Sequence, residues 1–415
     1  MGMRAEQFEE IRAMQQLAGK TGNLRWRAEA LCRELAYCQE TGESQKTTEL
    51  YPEAYRAAQE AGDPFSQVEV MRIHARAKVD RGELDGALAL LQDALHVLDN
   101  HPEIERLRAD IMHVKGNALF YRGRAAEAMK AYEEALEGYQ KNQRTTQASA
   151  ILMNLGFVSA MQGYYEKALE YYKQSYSLDR EKGEVIYTGL KLANLAQAHI
   201  DLGNYEQARR LIKQAKVLCE RTLDKSALAD AMFTSGLLRL RMGRYDDAMR
   251  SIQEGLRLAR EAESRMDEIR GLLLYSECEI LNPDGSAAMA LEKAKDAAAM
   301  AQDAEAPVEM VHALSLQARA IYKLSYYPQA LDQSAQAVSL TVLQPVPGVE
   351  IVYYTHGKIL LALGRTSWAR MFLAKAKDEV MRKAQLITQG SARETYLSVY
   401  PANIVLQDYA RYVEE

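Results

Sequence analysis

Small and apolar residues return along the chain at a fixed interval. Residues 154–176 read NLGFVSAMQGYYEKALEYYKQSY, and residues 194–216 read NLAQAHIDLGNYEQARRLIKQAK. Each phrase has two helix-like halves, divided by Gly163 in the first and Gly203 in the second. The dividing glycine belongs to a series, Gly82, Gly123, Gly163, Gly203, Gly243 and Gly364, the first five separated by 41, 40, 40 and 40 residues. Five residues after each stands an alanine: Ala87, Ala128, Ala168, Ala208, Ala248 and Ala369. Seven further on the residue is small again, as in Ala94, Ala135, Ser175, Ala215, Gly255 and Ala376. A third small position lies twelve before the first alanine, at Ala75, Gly116, Gly156, Ala196, Gly236 and Gly357. Four before that, most units carry a large apolar residue, as in Met71, Met112, Leu152, Leu192 and Met232.

Each mark has a physical role. A glycine can take positive φ just past a helix end and close it. A second helix then starts two or three residues later, often after Asn, Asp or Glu, which are suited to cap it. Three small positions let two helix backbones approach closely, and the large residue fills the space beside them. The unit is a helix-turn-helix hairpin that buries its apolar faces only by stacking on its neighbours. Such an array predicts an all-α solenoid in which each hairpin touches only the hairpins next to it.

Weaker units complete the series. YSECEILNPDGSAAMALEKAKDAA keeps Ser276, Ala287 and Ala294 but turns at Pro283-Asp284-Gly285. LQARAIYKLSYYPQALDQSAQAV keeps Ala318, Ala330 and Ala337, with Ser325 in the glycine place. Near the front, LCRELAYCQETGESQKTTELYPEAYRAAQEAG has Gly42 and Ala54, and Pro52 is expected to kink or delay its second helix. About nine units fit between residues 24 and 388. Residues 1–23 read as a half-repeat or capping helix, and residues 389–415 as a segment that caps the last hairpin. Between the last two units, LQPVPGVE at residues 343–350 must leave helix, because Pro345 and Pro347 restrict the residues before them.

The pattern resembles the tetratricopeptide repeat (TPR). In that family small residues occupy the eighth, twentieth and twenty-seventh places of a helix-turn-helix, with an aromatic shortly before the second helix. Here Tyr165, Tyr205, Tyr245 and Tyr327 take the aromatic place. The usual Trp at the fourth place and the closing Pro are missing, and the period is 40 where the common form has 34. This longer form is similar to arrays in bacterial signal-transduction ATPases, transcription activators and quorum-sensing regulators. The resemblance implies a right-handed superhelix whose first helices line a concave, ligand-holding face. HEAT repeats have a similar period, but this Gly-to-Ala spacing is not expected of them.

Composition narrows the function classes. A chain of 415 residues would ordinarily divide into two or three domains, but a repeat array replaces that estimate. The net charge of −5 gives no global attraction to nucleic acid, and Lys and Arg alternate with acids, so no basic stripe suggests DNA. No apolar run is long enough to span a membrane, and the charged start MGMRAEQFEEIRAMQQ lacks a secretory apolar core. Cys32, Cys38, Cys219 and Cys278 are scattered, which suits a reduced, cytoplasmic chain without a disulfide framework or metal site.

Catalytic and cofactor motifs are not found. GKT at residues 19–21 lacks the earlier glycine of a phosphate loop, since Met14 stands there. His74 and His113 read as ordinary helix residues. No nucleophile elbow or paired zinc-binding histidines occur, so no enzyme activity and no cofactor are expected.

A binding surface remains. The family places its ligand contacts at fixed positions of each first helix. Counting back from the marked alanines gives Arg72 and Arg76, then His113, Asn117, Phe120 and Tyr121, then Met153, Asn154, Phe157 and Met161. Asn194, Gln197 and Asp201 follow, then Phe233 and Arg241, then Arg319, Tyr322 and Lys323, and finally Tyr354 and Lys358. Relatives use asparagines placed like Asn154 and Asn194 to hold a peptide backbone, because an amide both donates and accepts. Phe157, Met153 and Met161 would give apolar pockets. The family's carboxylate clamp is not expected, because Leu190 takes one of its places. The expected partner is a protein or peptide, with no direct contact to nucleic acid or membrane. The alternative is an effector-sensing array of a larger signalling ATPase, cyclase or transcription regulator, reading a small molecule or signalling peptide.

Overall fold

The computed structural model describes residues 2–183, 188–343 and 345–414. Among them there are twenty-one α-helices and no strand. After α1 (Gly2–Thr21) come α2 (Leu24–Glu40) with α3 (Ser44–Glu60), and α4 (Pro64–Asp80) with α5 (Leu84–Asp99). A 3₁₀ segment, Pro102–Leu107, leads to α6 (Arg108–Tyr121) with α7 (Ala125–Lys141), then α8 (Thr145–Met161) with α9 (Tyr165–Lys182). The series continues with α10 (Thr188–Asp201) and α11 (Tyr205–Thr222), α12 (Lys225–Arg241) and α13 (Tyr245–Glu261), and α14 (Arg265–Leu281) and α15 (Ala287–Asp303). It closes with α16 (Pro307–Lys323) and α17 (Tyr327–Leu340), α18 (Val349–Ala362) and α19 (Thr366–Gln385), and a tail of α20 (Gly390–Ser398) and α21 (Ala402–Tyr409). Helices α2 to α19 pair into nine hairpins of a tetratricopeptide-type α-solenoid. The chain forms two compact units, Met1–Ile151 and Leu152–Glu415, divided within α8.

The repeated glycines do what the pattern asks. Gly82, Gly123, Gly163, Gly203, Gly243 and Gly364 all have φ between 71° and 85°. The amide after each glycine then donates to the carbonyl five residues back, as in Asn204 to His199 at 2.7 Å and Tyr164 to Ser159 at 2.8 Å. This bond satisfies a carbonyl the helix end would otherwise leave open. Ser325 takes the same left-handed conformation, φ 64°, in the eighth hairpin.

Capping differs from expectation. Asn204 and Arg244 precede second helices but make no side-chain cap bond. The glycine turn leaves them with ψ near 60° to 68°, whereas the side-chain caps Asn23, Asp224 and Ser286 are more extended, with ψ of 105°, 94° and 108°. Pro52 also behaves differently: it sits inside α3, which has begun eight residues earlier and continues to Glu60. Of the 343–350 stretch, Gln344 lies outside the described residues; Pro347 and Gly348 form a turn, and α18 starts at Val349.

The close-approach positions are filled from one place in the partner helix. A Cβ on Gly156 would lie 2.4 Å from the Tyr172 ring, and one on Gly116 would lie 2.5 Å from Tyr132. Gly236 faces Ile252 and Gly357 faces Leu373 in the same way. In every case the facing residue is sixteen further along the chain, on the second helix of the hairpin.

The expectation that hairpins touch only their neighbours fails within the second unit. Arg382 of α19 donates to the carbonyl of Gln162 at 3.0 Å, and the Lys383 side chain lies over Gly163. Glu166, in the first turn of α9, accepts from the Thr388 amide at 3.1 Å and hydroxyl at 2.7 Å. One hydrophobic cluster joins Tyr165, Leu169 and Tyr172 to Val380, Ala384, Ile387, Tyr396 and Val405. The small rotation between successive hairpins accumulates, and here the ninth hairpin and the tail meet the fourth.

Candidate functional site

In the first unit, α4 and α6 carry the predicted residues. Arg72 is paired with Glu69 of its own helix, Nη2 to Oε2 at 2.7 Å, and Arg76 with Asp80 at 3.1 Å. His113 lies edge-on to Tyr132 and Tyr139, with ring centroids 6.5 Å and 6.4 Å away. Burial, with Arg76 nearby, pushes its imidazole down to about 4, so it is neutral at physiological pH. Asn117 accepts from the Tyr132 hydroxyl at 2.7 Å, which ties its amide to the scaffold. The Phe120 and Tyr121 rings meet edge-on, 5.5 Å between centroids, and Tyr121 is 61% exposed. Sequence reasoning missed Asp110, which accepts from Tyr139 at 2.9 Å and from Arg144. Its signal would have been an acid at the start of α6, opposite an Arg just past the end of α7.

In the second unit, Asn154, Phe157 and Met161 stand on α8, with Phe157 50% exposed and Met153 packed beside the large cluster. Asn194, Gln197 and Asp201 stand on α10. Gln197 donates to Asp201 at 3.0 Å, one helical turn on. Burial raises the Asp201 carboxyl to about 6, against the opposing effects of the Gln197 bond and of Arg241 and Lys383 nearby. Arg241 pairs with Glu277 of α14 at 3.0 Å. Phe233 corrects the reading: it is fully buried, and its ring fills the space above Gly255 and Gly271, so it belongs to the core and not to the face. Tyr322 packs on Tyr327 across the turn of its own hairpin, 5.4 Å between centroids, and Lys323 donates to the carbonyl of Ile280 at 2.7 Å.

The tail gathers several of these first-helix residues. Tyr400 accepts from Arg319 at 2.9 Å through its hydroxyl, and its ring lies 5.0 Å from the Arg241 guanidinium. Asp408 accepts from Tyr354 at 2.8 Å and Lys358 at 2.7 Å. Thr395 and Val399 press on Gly203 at the end of α10. Tyr396, Ala402 and Val405 are buried in the cluster that also contains Leu202 and Val380. The tail thus crosses the first-helix side of the second unit, touching α10, α12, α16 and α18. Beneath it Lys383 and Glu350 form a buried pair at 2.6 Å. Burial works against the Lys383 charge, but Glu350 beside it holds its pKa above the usual lysine value. Sequence reasoning missed Glu277, Glu350, Lys383, Tyr400 and Asp408, because their partners lie tens of residues away.

Among the described residues, no three or more His, Cys, Asp or Glu gather as metal ligands would, and no helix is long and apolar enough to cross a membrane. The four cysteines are free thiols, and burial raises those of Cys32, Cys219 and Cys278 to about 12, 11 and 12.

Hairpins with a left-handed residue at the turn, small residues at the crossings and polar groups along the first helices define a helical-repeat protein. Residues 107–181 and 187–261 match the family model of the tetratricopeptide repeat, and these stretches are tetratricopeptide repeats. The fold is similar to the apo form of the quorum sensor NprR from B. thuringiensis, with 14% identity, TM-score 0.61, and coverage of 82% of this chain and 98% of that one. It is similar to a Rap protein complexed with Competence and Sporulation Factor, with 14% identity, TM-score 0.53, and coverage of 84% and 98%. A third similar structure is the Rap conjugation gene regulator of the plasmid pLS20 in complex with the Phr* peptide, with 13% identity, TM-score 0.51, and coverage of 76% and 97%. At these identities the likeness is one of fold. No curated protein matches the sequence.

Proposed function

We propose that the chain is a noncatalytic scaffold that binds a protein or peptide along its first-helix face, in a regulatory role. The observation that carries this reading is the tail itself: the first-helix side of the second unit holds a stretch of polypeptide through side-chain contacts at Arg241, Arg319, Tyr354 and Lys358. A face that grips one segment has the chemistry to grip another. Two of the similar structures carry a bound factor or peptide, Competence and Sporulation Factor in one and the Phr* peptide in the other. On this reading Asn154 and Asn194, in equivalent places of successive first helices, hold the partner's backbone, while Phe157 and Met161 receive side chains.

A random-peptide display selection on the full chain tests it. Selected peptides are re-measured against the Asn154→Ala, Asn194→Ala double variant, with thermal melts alongside. Each lost hydrogen bond is worth about 0.5–1.5 kcal/mol, so affinity should fall roughly five- to hundredfold while the melts coincide. Binders that keep full affinity for the double variant would place the site elsewhere.

A further inference from the structure

The tail is anchored to the first-helix face in two ways. Its apolar residues Tyr396, Ala402 and Val405 are buried in the cluster shared with α9, α10 and α19. Its polar residues use the same first-helix side chains that the family pattern assigns to ligands. Tyr400 lies on Arg241 and accepts from Arg319; eight residues later Asp408 accepts from Tyr354 and Lys358. Beyond it, Tyr412 lies 4.5 Å from the Lys358 ammonium and Tyr409 4.5 Å from that of Lys377. These contacts are largely buried: the Lys358 and Asp408 side chains are 21% and 14% exposed, and that of Arg241 is 14% exposed. When they open, Arg241 keeps its Glu277 partner, whereas Lys358 needs another carboxylate in the place of Asp408 if its charge is not to be stranded.

Resting on the peptide-binding reading above, we propose that residues 390–414 are an internal ligand of this face. The external ligand is a peptide of matching chemistry, with a tyrosine for Arg241 and Arg319 and a carboxylate about two helical turns on for Tyr354 and Lys358. The covalently joined tail has the advantage of a high effective concentration, in the millimolar range for a short connection. An external peptide therefore binds only when it outcompetes the tail, and its binding frees the tail. Occupancy of the face is thereby coupled to the exposure of residues 390–414, which gives the scaffold two states with different surfaces.

The experiment uses the full chain and a fluorescein-labelled synthetic peptide of residues 394–414. Binding is measured by anisotropy to wild type, to the Tyr400→Ala, Asp408→Ala variant, and to the conservative Asp408→Asn variant, which leaves Tyr396 and Val405 untouched. Hydrogen exchange of the tail amides and helical circular dichroism are recorded for each. The expected result is faster exchange in residues 390–414 of both variants and at least tenfold tighter peptide binding than wild type. Arg319→Gln and Lys358→Met added to the same background should abolish that binding. Faster tail exchange without any gain in peptide binding would overturn the proposal, as would unchanged exchange in both variants. Because the probe is the chain's own sequence, this outcome is independent of whether display selection finds an outside peptide. A chain that captures its own tail but no selected binder fails the functional reading alone.

Discussion

The ring of Tyr172 occupies the space that a side chain on Gly156 would need: a Cβ there would stand 2.4 Å from Cε1 and 2.6 Å from Cδ1. The two residues lie on the two helices of the fourth hairpin and set how closely α8 and α9 approach. Gly156→Ala should therefore overpack the crossing and cost about 1–3 kcal/mol, with Gly156→Leu costing more. Tyr172→Leu should restore part of the loss in the double variant, because the pair is coupled. Urea midpoints of the four proteins measure this; an unchanged midpoint for Gly156→Leu would contradict the hairpin geometry.

Two turn glycines separate backbone conformation from contact with the tail. Gly203 and Gly243 have φ of 79° and 71°, so alanine at either pays about 1–2 kcal/mol for the left-handed conformation. A Cβ on Gly243 would meet nothing within 4 Å, whereas one on Gly203 would lie 2.7 Å from Thr395 and 2.8 Å from Val399. Gly203→Ala should therefore destabilise more than Gly243→Ala, and only Gly203→Ala should speed hydrogen exchange across residues 390–400. Equal exchange in the two variants would contradict the packing of the tail on α10.

Much of this scaffold was legible because its marks are local. The glycine at each hairpin turn and the small residues at each crossing answer to backbone geometry inside one repeat, so their spacing alone locates the helices. The partner of each crossing was less visible, since Tyr172 and Ile252 share only size and position. Junctions between hairpins were not visible at all: Gln143, Leu223, Glu263 and Glu305 adopt positive φ without being glycine. The return of the ninth hairpin to the fourth depends on many small rotations added together, and no single residue records that sum. For the same reason the sequence pointed to Arg241, Arg319, Tyr354 and Lys358 as face residues but gave no sign that Tyr400 and Asp408 would meet them.

Asp201 supplies a pH dependence with a definite sign. Its folded-state pKa of about 6 lies above the ordinary aspartate value near 3.9. The folded chain thus holds this proton more tightly than the unfolded chain. The contribution is complete below about pH 4 and is lost as pH rises to about 6. Gln197, Arg241 and Lys383 oppose the shift and Glu350 adds to it. Asp201→Asn should remove this component, so its urea midpoint should fall less than that of wild type between pH 4 and pH 7. Parallel profiles for the two proteins would contradict the burial of that carboxyl.

The Lys383–Glu350 pair has both side chains almost wholly out of water, 3% and 4% exposed. Removing one partner of such a pair strands the other charge and typically costs 3–5 kcal/mol, while replacing both by apolar residues costs much less. Glu350→Ala and Lys383→Met should each lower the denaturation midpoint strongly, and Glu350→Leu with Lys383→Met should recover most of the loss. Additive losses in the double variant would show that the two charges do not depend on one another.

Under the proposed function, the first helices of the hairpins hold the ligand. Hydrogen exchange of the full chain, with and without a display-selected peptide, reads this directly. Slowed exchange concentrated in α8, α10, α12 and α16, together with faster exchange in residues 390–414, is the predicted result. Protection confined to the second helices α9, α11, α13 and α17, with the tail unchanged, would contradict it.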